Sequence, residues 1–124
     1  MKTIHTPDAP AAIGPYSQAI AHQGIVYCSG QIGLKPDGEW AGDDVMSQTI
    51  QALANLNAVL LQANSSRNHV IRATIFLESM DDFTVVNEAY GQFFGDHRPA
   101  RACVEARRLP KDAKVEISCI ASAS

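Results

Sequence analysis

The stretch RPARACVEARRLPKDAKVEISCIA, residues 98–121, contains most of the information about the fold. Two runs, 100–106 and 114–121, flank a polar segment with the sequence LPKD at 109–112. Both runs alternate with a period of two, which places successive side chains on opposite faces of a strand. In the first run the small apolar set is predicted to face the core: Ala102, Val104 and Ala106. The opposite set comprises Arg101, Cys103 and Glu105.

Two charged residues in these strands are candidates for function. Arg101 stands at the start of the first strand, just after Pro99. Glu116 lies in the second strand among Val115, Ile117 and Cys119. A charge inside an apolar strand is costly unless it is paired or used. Both residues also have a purely structural interpretation, as a solvated or intersubunit arginine and as a glutamate paired with an arginine across the sheet.

Composition sets the class of protein. The chain has 124 residues, 46% of them hydrophobic, and is expected to form one domain, 1–124. Its net charge of −3 makes nucleic acid an improbable partner. Three cysteines without a CxxC spacing favour reduced thiols and a cytoplasmic location. No apolar run approaches a membrane span, and residues 1–5 lack the apolar segment of a secretory signal.

The remaining sequence predicts an α+β fold with one sheet and two helices packed on one face. Strands are predicted at 17–22, 25–29, 69–77, 100–106 and 114–121, and a further short strand can form at 2–5. Helices are predicted from a cap at Asp43 or Asp44 to about Ala63, and from a cap at Asp81 or Asp82 to Gly95. The predicted buried stripes are Met46, Ile50, Leu53, Leu56 and Leu60, then Phe83, Val86, Tyr90 and Phe93. So short a chain cannot cover the second face of its sheet, which predicts an oligomer.

Several short motifs occur together in one order along nearly the whole chain. They are IGPYSQ at 13–18, SGQI at 29–32, DFTVVN at 82–87, PAR at 99–101, LPKD at 109–112 and VEI at 115–117. In these motifs the chain resembles the RidA/YjgF family of reactive-intermediate deaminases. The resemblance implies a chorismate-mutase-like fold and a homotrimer with clefts between subunits. It also implies cofactor-free hydrolysis of 2-imino or enamine acids, such as 2-iminobutanoate and 2-iminopropanoate, to 2-keto acids and ammonia.

The same resemblance implies roles for individual residues. Arg101 matches the arginine that holds the substrate carboxylate, and Glu116 matches the glutamate that positions or activates water. Further residues match positions that line the cleft: Tyr16, Ser29, Gly30, Asn87 and Cys103. The chain departs from the family pattern in a short link before the Pro-Ala-Arg triplet, where Arg98 replaces an aromatic residue. Together with Arg107, this departure predicts a smaller or more anionic substrate.

The residue chemistry agrees with these roles. A guanidinium meets a carboxylate through two parallel hydrogen bonds, and a buried carboxyl with a raised pKa can handle protons. The four histidines have no metal-ligand spacing, so no metal site is predicted. Two alternatives stay open: a ribonuclease or translation inhibitor, and a trimer that binds a small ligand or acts as a chaperone without turnover.

Overall fold

The computed structural model describes residues 1–123, which form one six-stranded sheet and two α-helices. In chain order these are β1 (Lys2–Ile4), β2 (Ala19–His22), β3 (Ile25–Gln31), α1 (Val45–Gln62), β4 (Val70–Leu77), α2 (Phe83–Phe94), β5 (Ala100–Glu105) and β6 (Val115–Ser122). The strand order in the sheet is β1-β2-β3-β6-β4-β5. Every neighbouring pair is antiparallel except β4 and β5, which are parallel. The mixed sheet with two helices confirms the α+β prediction.

Local sequence signals account for the way the elements begin and end. Gln23 and Gly24 have φ values of 51° and 78°, so they form the predicted tight turn of the β2–β3 hairpin. Asp44 caps α1 by accepting a hydrogen bond from the Ser47 backbone N–H at 2.9 Å. That hydrogen bond holds the pKa of the Asp44 carboxyl below its usual value. Gly95 ends α2 at a φ of 62°, as predicted.

The two helices differ from the predictions in their caps and buried faces. Asp82 precedes α2, but its side chain makes no capping hydrogen bond; Ser79 instead accepts one from the Asp81 backbone at 3.2 Å. In α1 the predicted core residue Ile50 is 55% exposed, because the buried stripe is rotated around the helix relative to the predicted one. The buried apolar residues of the helices are Ala52, Leu53, Leu56, Val59 and Leu60 in α1, and Val86, Ala89, Tyr90 and Phe94 in α2.

Strand β5 turns toward the helices the set of side chains that was predicted to face away from the core. Its register places Arg101 beside Ala73 and Cys103 beside Ile75, and both of these β4 residues are buried under the helices. Val104, predicted to face the core, lies on the other face and is 46% exposed. A two-residue period separates two faces without saying which one is covered. Helix α2 covers the face that carries Arg101, since its Asn87 and Tyr90 side chains contact the Arg101 guanidinium.

The second face of the sheet carries no helix in the described part of the chain. Register places Tyr27, Ile120 and Arg72 in one row across β3, β6 and β4, and Glu116 beside Phe76 in another. Tyr27 is 48% exposed there. We call this surface the open face. Among residues 1–123 no helix combines the length and the apolar character needed to cross a membrane.

Two of the three cysteines meet in the core. Cys28 on β3 lies directly opposite Cys119 on β6, and both thiols are buried and free; Cys103 is also free but only partly buried. The hydrogen bond between the two thiols and their burial raise the pKa of Cys119. Because thiolate is the reactive form, these buried groups behave as packing residues.

An alanine substitution at Gly33 tests the packing between the β3–α1 loop and helix α1. A Cβ on Gly33 would lie 2.5 Å from the Gln48 Cα atom, which belongs to the backbone of α1. The Gln48 side chain is itself fixed, since it donates to the Gly42 carbonyl at 3.1 Å and accepts from the Lys114 N–H at 2.9 Å. We expect Gly33→Ala to lower the free energy of unfolding by about 1–3 kcal/mol, measured by urea denaturation.

The matched control is Gly91→Ala. Gly91 lies inside α2, which runs unbroken past it, and apart from its chain neighbours and the nearby backbone of α2 no atom lies within 4 Å of the Cβ that alanine would add. Replacing a helical glycine by alanine is therefore expected to raise the free energy of unfolding by up to about 1 kcal/mol. Unchanged stability of Gly33→Ala would mean that the loop can move away from α1.

Candidate active site

Two separate cavities contain most of the predicted site residues. The first, of about 370 Å³, is called here the glutamate cavity. It is lined by residues of the N-terminal loop, the end of β3 and the loop before β6: Pro10, Ala11, Ala12, Ile13, Tyr16, Gln18, Ser29, Gly30, Gln31, Ile32, Leu34, Pro110, Lys111 and Glu116. The second, of about 320 Å³, is called the arginine cavity. It is lined by Asn87, Tyr90, Gly91, Arg98, Pro99 and Arg101.

Glu116 is the only carboxylate in the lining of the glutamate cavity. It lies half-buried on the open face, and burial raises the pKa of its carboxyl. Its neighbour across the sheet is Phe76, and neither of the two ion pairs formed within residues 1–123 involves it. The alternative interpretation of Glu116, a pair with an arginine across the sheet, is therefore not supported within residues 1–123.

Gly30 makes room for that carboxyl group. A Cβ at Gly30 would lie 2.8 Å from both Cδ and Oε2 of Glu116. Any larger residue would displace the carboxyl group, since real Cβ atoms do not approach so closely. The absence of a side chain at Gly30 thus leaves the Glu116 carboxyl open to the cavity.

The other residues of the glutamate cavity have well-defined local partners. The Ser29 hydroxyl donates to the Ser17 carbonyl at 2.6 Å, and the Ser29 N–H donates to the Gln18 carbonyl at 3.0 Å. With both of these donors already bonded, Ser29 can contact a ligand only as an acceptor, through its hydroxyl oxygen. Tyr16 is 51% exposed, and its hydroxyl accepts from the Ile13 N–H at 3.4 Å.

Lys111 enters the glutamate cavity on a strained loop. Lys111 and Asp112 have φ values of 55° and 57°, a left-handed conformation that side chains other than glycine rarely adopt. A hydrogen bond of 2.7 Å from Arg108 Nε to Asp112 Oδ1 and the buried Leu109 stabilise this turn. Backbone strain of this kind commonly occurs where a loop is held for binding or catalysis.

Arg101 is the central group of the arginine cavity. Its Nη1 donates to the Asn87 Oδ1 at 2.7 Å, and its guanidinium lies 5.0 Å from the ring centre of Tyr90 and 5.6 Å from that of Phe83. No carboxylate within residues 1–123 pairs with it. An arginine fixed by one neutral acceptor and by aromatic rings keeps donors free for an anionic ligand.

Tyr90 and Cys103 complete the surroundings of Arg101. The buried Tyr90 hydroxyl has no hydrogen-bond partner in the described residues, and burial raises its pKa. Cys103 packs toward the core and lines neither cavity, so its predicted place in the cleft is not evident in one chain. Burial also raises the pKa of the Cys103 thiol, which disfavours a nucleophilic role.

Arg101 and Glu116 do not meet within one chain. Register places Arg101 beside Ala73 on the helix-covered face, whereas Glu116 lies beside Phe76 on the open face. No group of three or more His, Cys, Asp or Glu side chains in residues 1–123 is arranged to hold a metal ion.

Comparison with known proteins identifies the family. The family model described as Endoribonuclease L-PSP matches residues 6–123. The chain belongs to this family, which is also named RidA/YjgF. A RutC family protein of Synechocystis is 48% identical and is matched over 98% of this chain and 95% of its own length. The 2-iminobutanoate/2-iminopropanoate deaminase of Salmonella typhimurium is 43% identical, over 97% of this chain and 96% of its own.

Solved structures agree with this membership. The crystal structure of E. coli TdcF with bound serine superposes with a TM-score of 0.95 at 42% identity and covers 100% of both chains. The structural matches to RidA/YjgF proteins confirm the chorismate-mutase-like fold that the sequence motifs predicted.

Sequence reasoning placed Tyr16, Ser29, Gly30 and Asn87 in one cleft between subunits. Within one chain Asn87 lines the arginine cavity, and Tyr16, Ser29 and Gly30 line the glutamate cavity, so their shared cleft stays a prediction. Lys111 was not predicted, although the LPKD motif containing it had supported the resemblance. Tyr90 was predicted only as a core residue of α2, because periodicity does not separate a core position from the wall of a cavity.

Proposed function

We propose that this RidA/YjgF chain is a hydrolytic deaminase that converts 2-imino acids, including 2-iminobutanoate and 2-iminopropanoate, to 2-keto acids and ammonia. Two relatives that carry this activity in their names, from Salmonella typhimurium and Escherichia coli, are 43% and 42% identical to it over nearly the whole chain. The serine bound to TdcF supports the proposal, since serine shares the carboxylate and the nitrogen-bearing carbon of a 2-imino acid.

The separation of Arg101 from Glu116 is the observation that carries the proposal. Each chain offers a carboxylate-binding half with no proton-handling carboxylate and a glutamate half with no arginine. A neighbouring copy packed against the open face would bring the arginine cavity of one chain to the glutamate cavity of the next. Repeated around a three-fold axis, the arrangement gives a homotrimer with three composite sites.

The chemistry follows from the two halves. Free guanidinium donors of Arg101 hold the substrate carboxylate, which orients the adjacent imine carbon toward Glu116. Water attacks the carbon of the protonated imine and transfers a proton to the Glu116 carboxylate, giving a neutral carbinolamine. Glu116 returns this proton to the nitrogen. As the C–N bond breaks, the carbinol hydroxyl gives its proton to Glu116, which passes it to the departing ammonia, so that ammonium and the 2-keto acid leave. Glu116 is regenerated, and the residues alone supply the proton transfers.

The direct test is a coupled assay. A threonine dehydratase releases 2-iminobutanoate, and appearance of 2-ketobutyrate is timed with and without this protein. We expect faster release of the keto acid when the protein is present. An unchanged rate would leave the alternative of a binding or chaperone trimer without turnover. Incubation of the same sample with RNA over a series of salt concentrations tests the ribonuclease alternative, because phosphate contacts weaken steeply with salt.

The proposed homotrimer can be tested through its mass in solution. By light scattering we expect a mass of three times 13.3 kDa at micromolar concentration. Val104→Glu places a charge on the open face beside Phe76 and is expected to reduce both the mass and the turnover. Ile50→Glu, on the exposed surface of α1, is the matched control and should leave both unchanged. A wild-type mass of 13.3 kDa would exclude a composite site.

A further inference from the structure

The arginine cavity contains a second guanidinium. Arg98 lines it together with Arg101, and no carboxylate is part of that lining. Within residues 1–123 neither arginine takes part in an ion pair. Two like charges in one cavity repel each other, so the arrangement favours a ligand with more negative charge than a single carboxylate supplies.

Arg98 is held in place by neutral groups only. Its Nη1 donates to the carbonyls of Gly95 and of His97, the latter at 3.0 Å. The His97 ring is fixed in turn, since its Nε2 donates to the Val70 carbonyl at 2.7 Å and it packs against the Phe94 ring. The short segment after α2 is therefore anchored to the sheet, and the structure shows no acceptor in residues 1–123 for Nε and Nη2 of Arg98.

The glutamate cavity does not cancel this charge. Its lining holds one cation, Lys111, and one carboxylate, Glu116, so it contributes no net negative charge. Arg107, the other additional cation noted in the sequence, is exposed and lines neither cavity. The positive charge available to a substrate is thus concentrated at Arg98 and Arg101. A cavity of about 320 Å³ is within the ordinary size range for small ligands.

We propose that the site accepts 2-imino acids that carry a second carboxylate, with Arg101 holding the carboxylate next to the imine and Arg98 holding the distal one. The smallest practical examples are the imines of four- and five-carbon acidic amino acids, 2-iminosuccinate and 2-iminoglutarate. This specificity rests on the proposed deaminase function. The reaction is the same hydrolysis: water adds to the imine carbon, the C–N bond breaks, and oxaloacetate or 2-ketoglutarate leaves with ammonia.

The test compares binding of the keto-acid products by calorimetry on the intact protein. We expect oxaloacetate to bind about 10-fold more tightly than 2-ketobutyrate, an amount typical of one charge-assisted contact at a partly exposed arginine. Arg98→Gln should remove most of this difference by weakening oxaloacetate binding, with a much smaller effect on 2-ketobutyrate. Arg107→Gln removes the same charge outside both cavities and should keep the wild-type ratio.

Turnover measurements separate the proposed dicarboxylate specificity from the proposed deaminase function. 2-Iminosuccinate generated from aspartate by an amino-acid oxidase is compared with 2-iminobutanoate. Preference for the dicarboxylate that Arg98→Gln abolishes supports the inference. Turnover of 2-iminobutanoate with equal binding of both keto acids, or an unchanged ratio in Arg98→Gln, overturns the inference alone. A binding preference without turnover of either imine overturns the deaminase function, and with it the assignment of these anions as substrates.

Discussion

Arg101→Lys is expected to lose keto-acid binding nearly as completely as Arg101→Ala. In the wild-type chain one donor group of Arg101 bonds to the Asn87 amide oxygen, while the planar guanidinium lies near the rings of Tyr90 and Phe83. A lysine keeps the charge, but its ammonium cannot satisfy Asn87 and also present two parallel donors to a carboxylate. Loss of one partner from a desolvated charge pair costs about 2–5 kcal/mol, or roughly 30-fold to several thousand-fold in affinity.

The measurement is calorimetric binding of 2-ketobutyrate to both variants. Arg107→Lys is the control, because Arg107 lies outside both cavities and should bind like wild type. Light scattering on each variant shows whether the oligomer persists. Binding and turnover at wild-type levels in Arg101→Lys would mean that the carboxylate is held by another group.

Glu116→Gln is expected to reduce kcat strongly and to leave ligand binding largely intact. Glutamine has nearly the same shape, so it fits the space that Gly30 leaves beside residue 116. It cannot accept a proton from the attacking water, and general-base catalysis is typically worth about 10²–10⁴-fold. The defect should therefore appear in kcat rather than in KM. Normal turnover in this variant would assign Glu116 a structural role only.

A pH profile distinguishes proton transfer from packing at Glu116. Burial raises the pKa of this carboxyl, so its ionised, active form is lost as the pH falls through a value above that of an ordinary glutamate. Wild-type kcat should decline on the acid side at that raised pKa, and the decline should be absent from the residual activity of Glu116→Gln. Glu39→Gln, an exposed loop substitution outside both cavities, should keep the wild-type profile.

The fold was predictable to the extent that its signals are local. The Gln23-Gly24 turn, the cap at Asp44 and the stop at Gly95 depend on a few neighbouring residues, and the structure confirms each of them. The buried stripe of α1 was predicted with Ile50 inside, although Ile50 is exposed. Hydrophobic spacing gives the period of a helix, whereas the packing partner fixes which residues of a broad apolar stripe are covered.

The candidate site was likewise predictable in its residue types but not in their spatial arrangement. Sequence motifs identified Arg101 and Glu116 as the two charged groups of interest and singled out Arg98 as a departure from the family pattern. The sequence did not indicate that Arg101 faces the helices, that Arg98 lines the arginine cavity with it, or that Lys111 lines the glutamate cavity. These facts depend on contacts between segments far apart in the chain.

The amino-acid sequence by itself determined the α+β class, the positions of the helices and most strands, and the residue types available for carboxylate binding and proton transfer. Only the tertiary structure decided where those groups point. Parallel pairing of β5 with β4 turned Arg101 toward α2, and antiparallel pairing of β6 with β4 turned Glu116 to the open face. Strand register is set by long-range hydrogen bonding and by which face the helices cover, and neither is encoded in the alternation of a single strand.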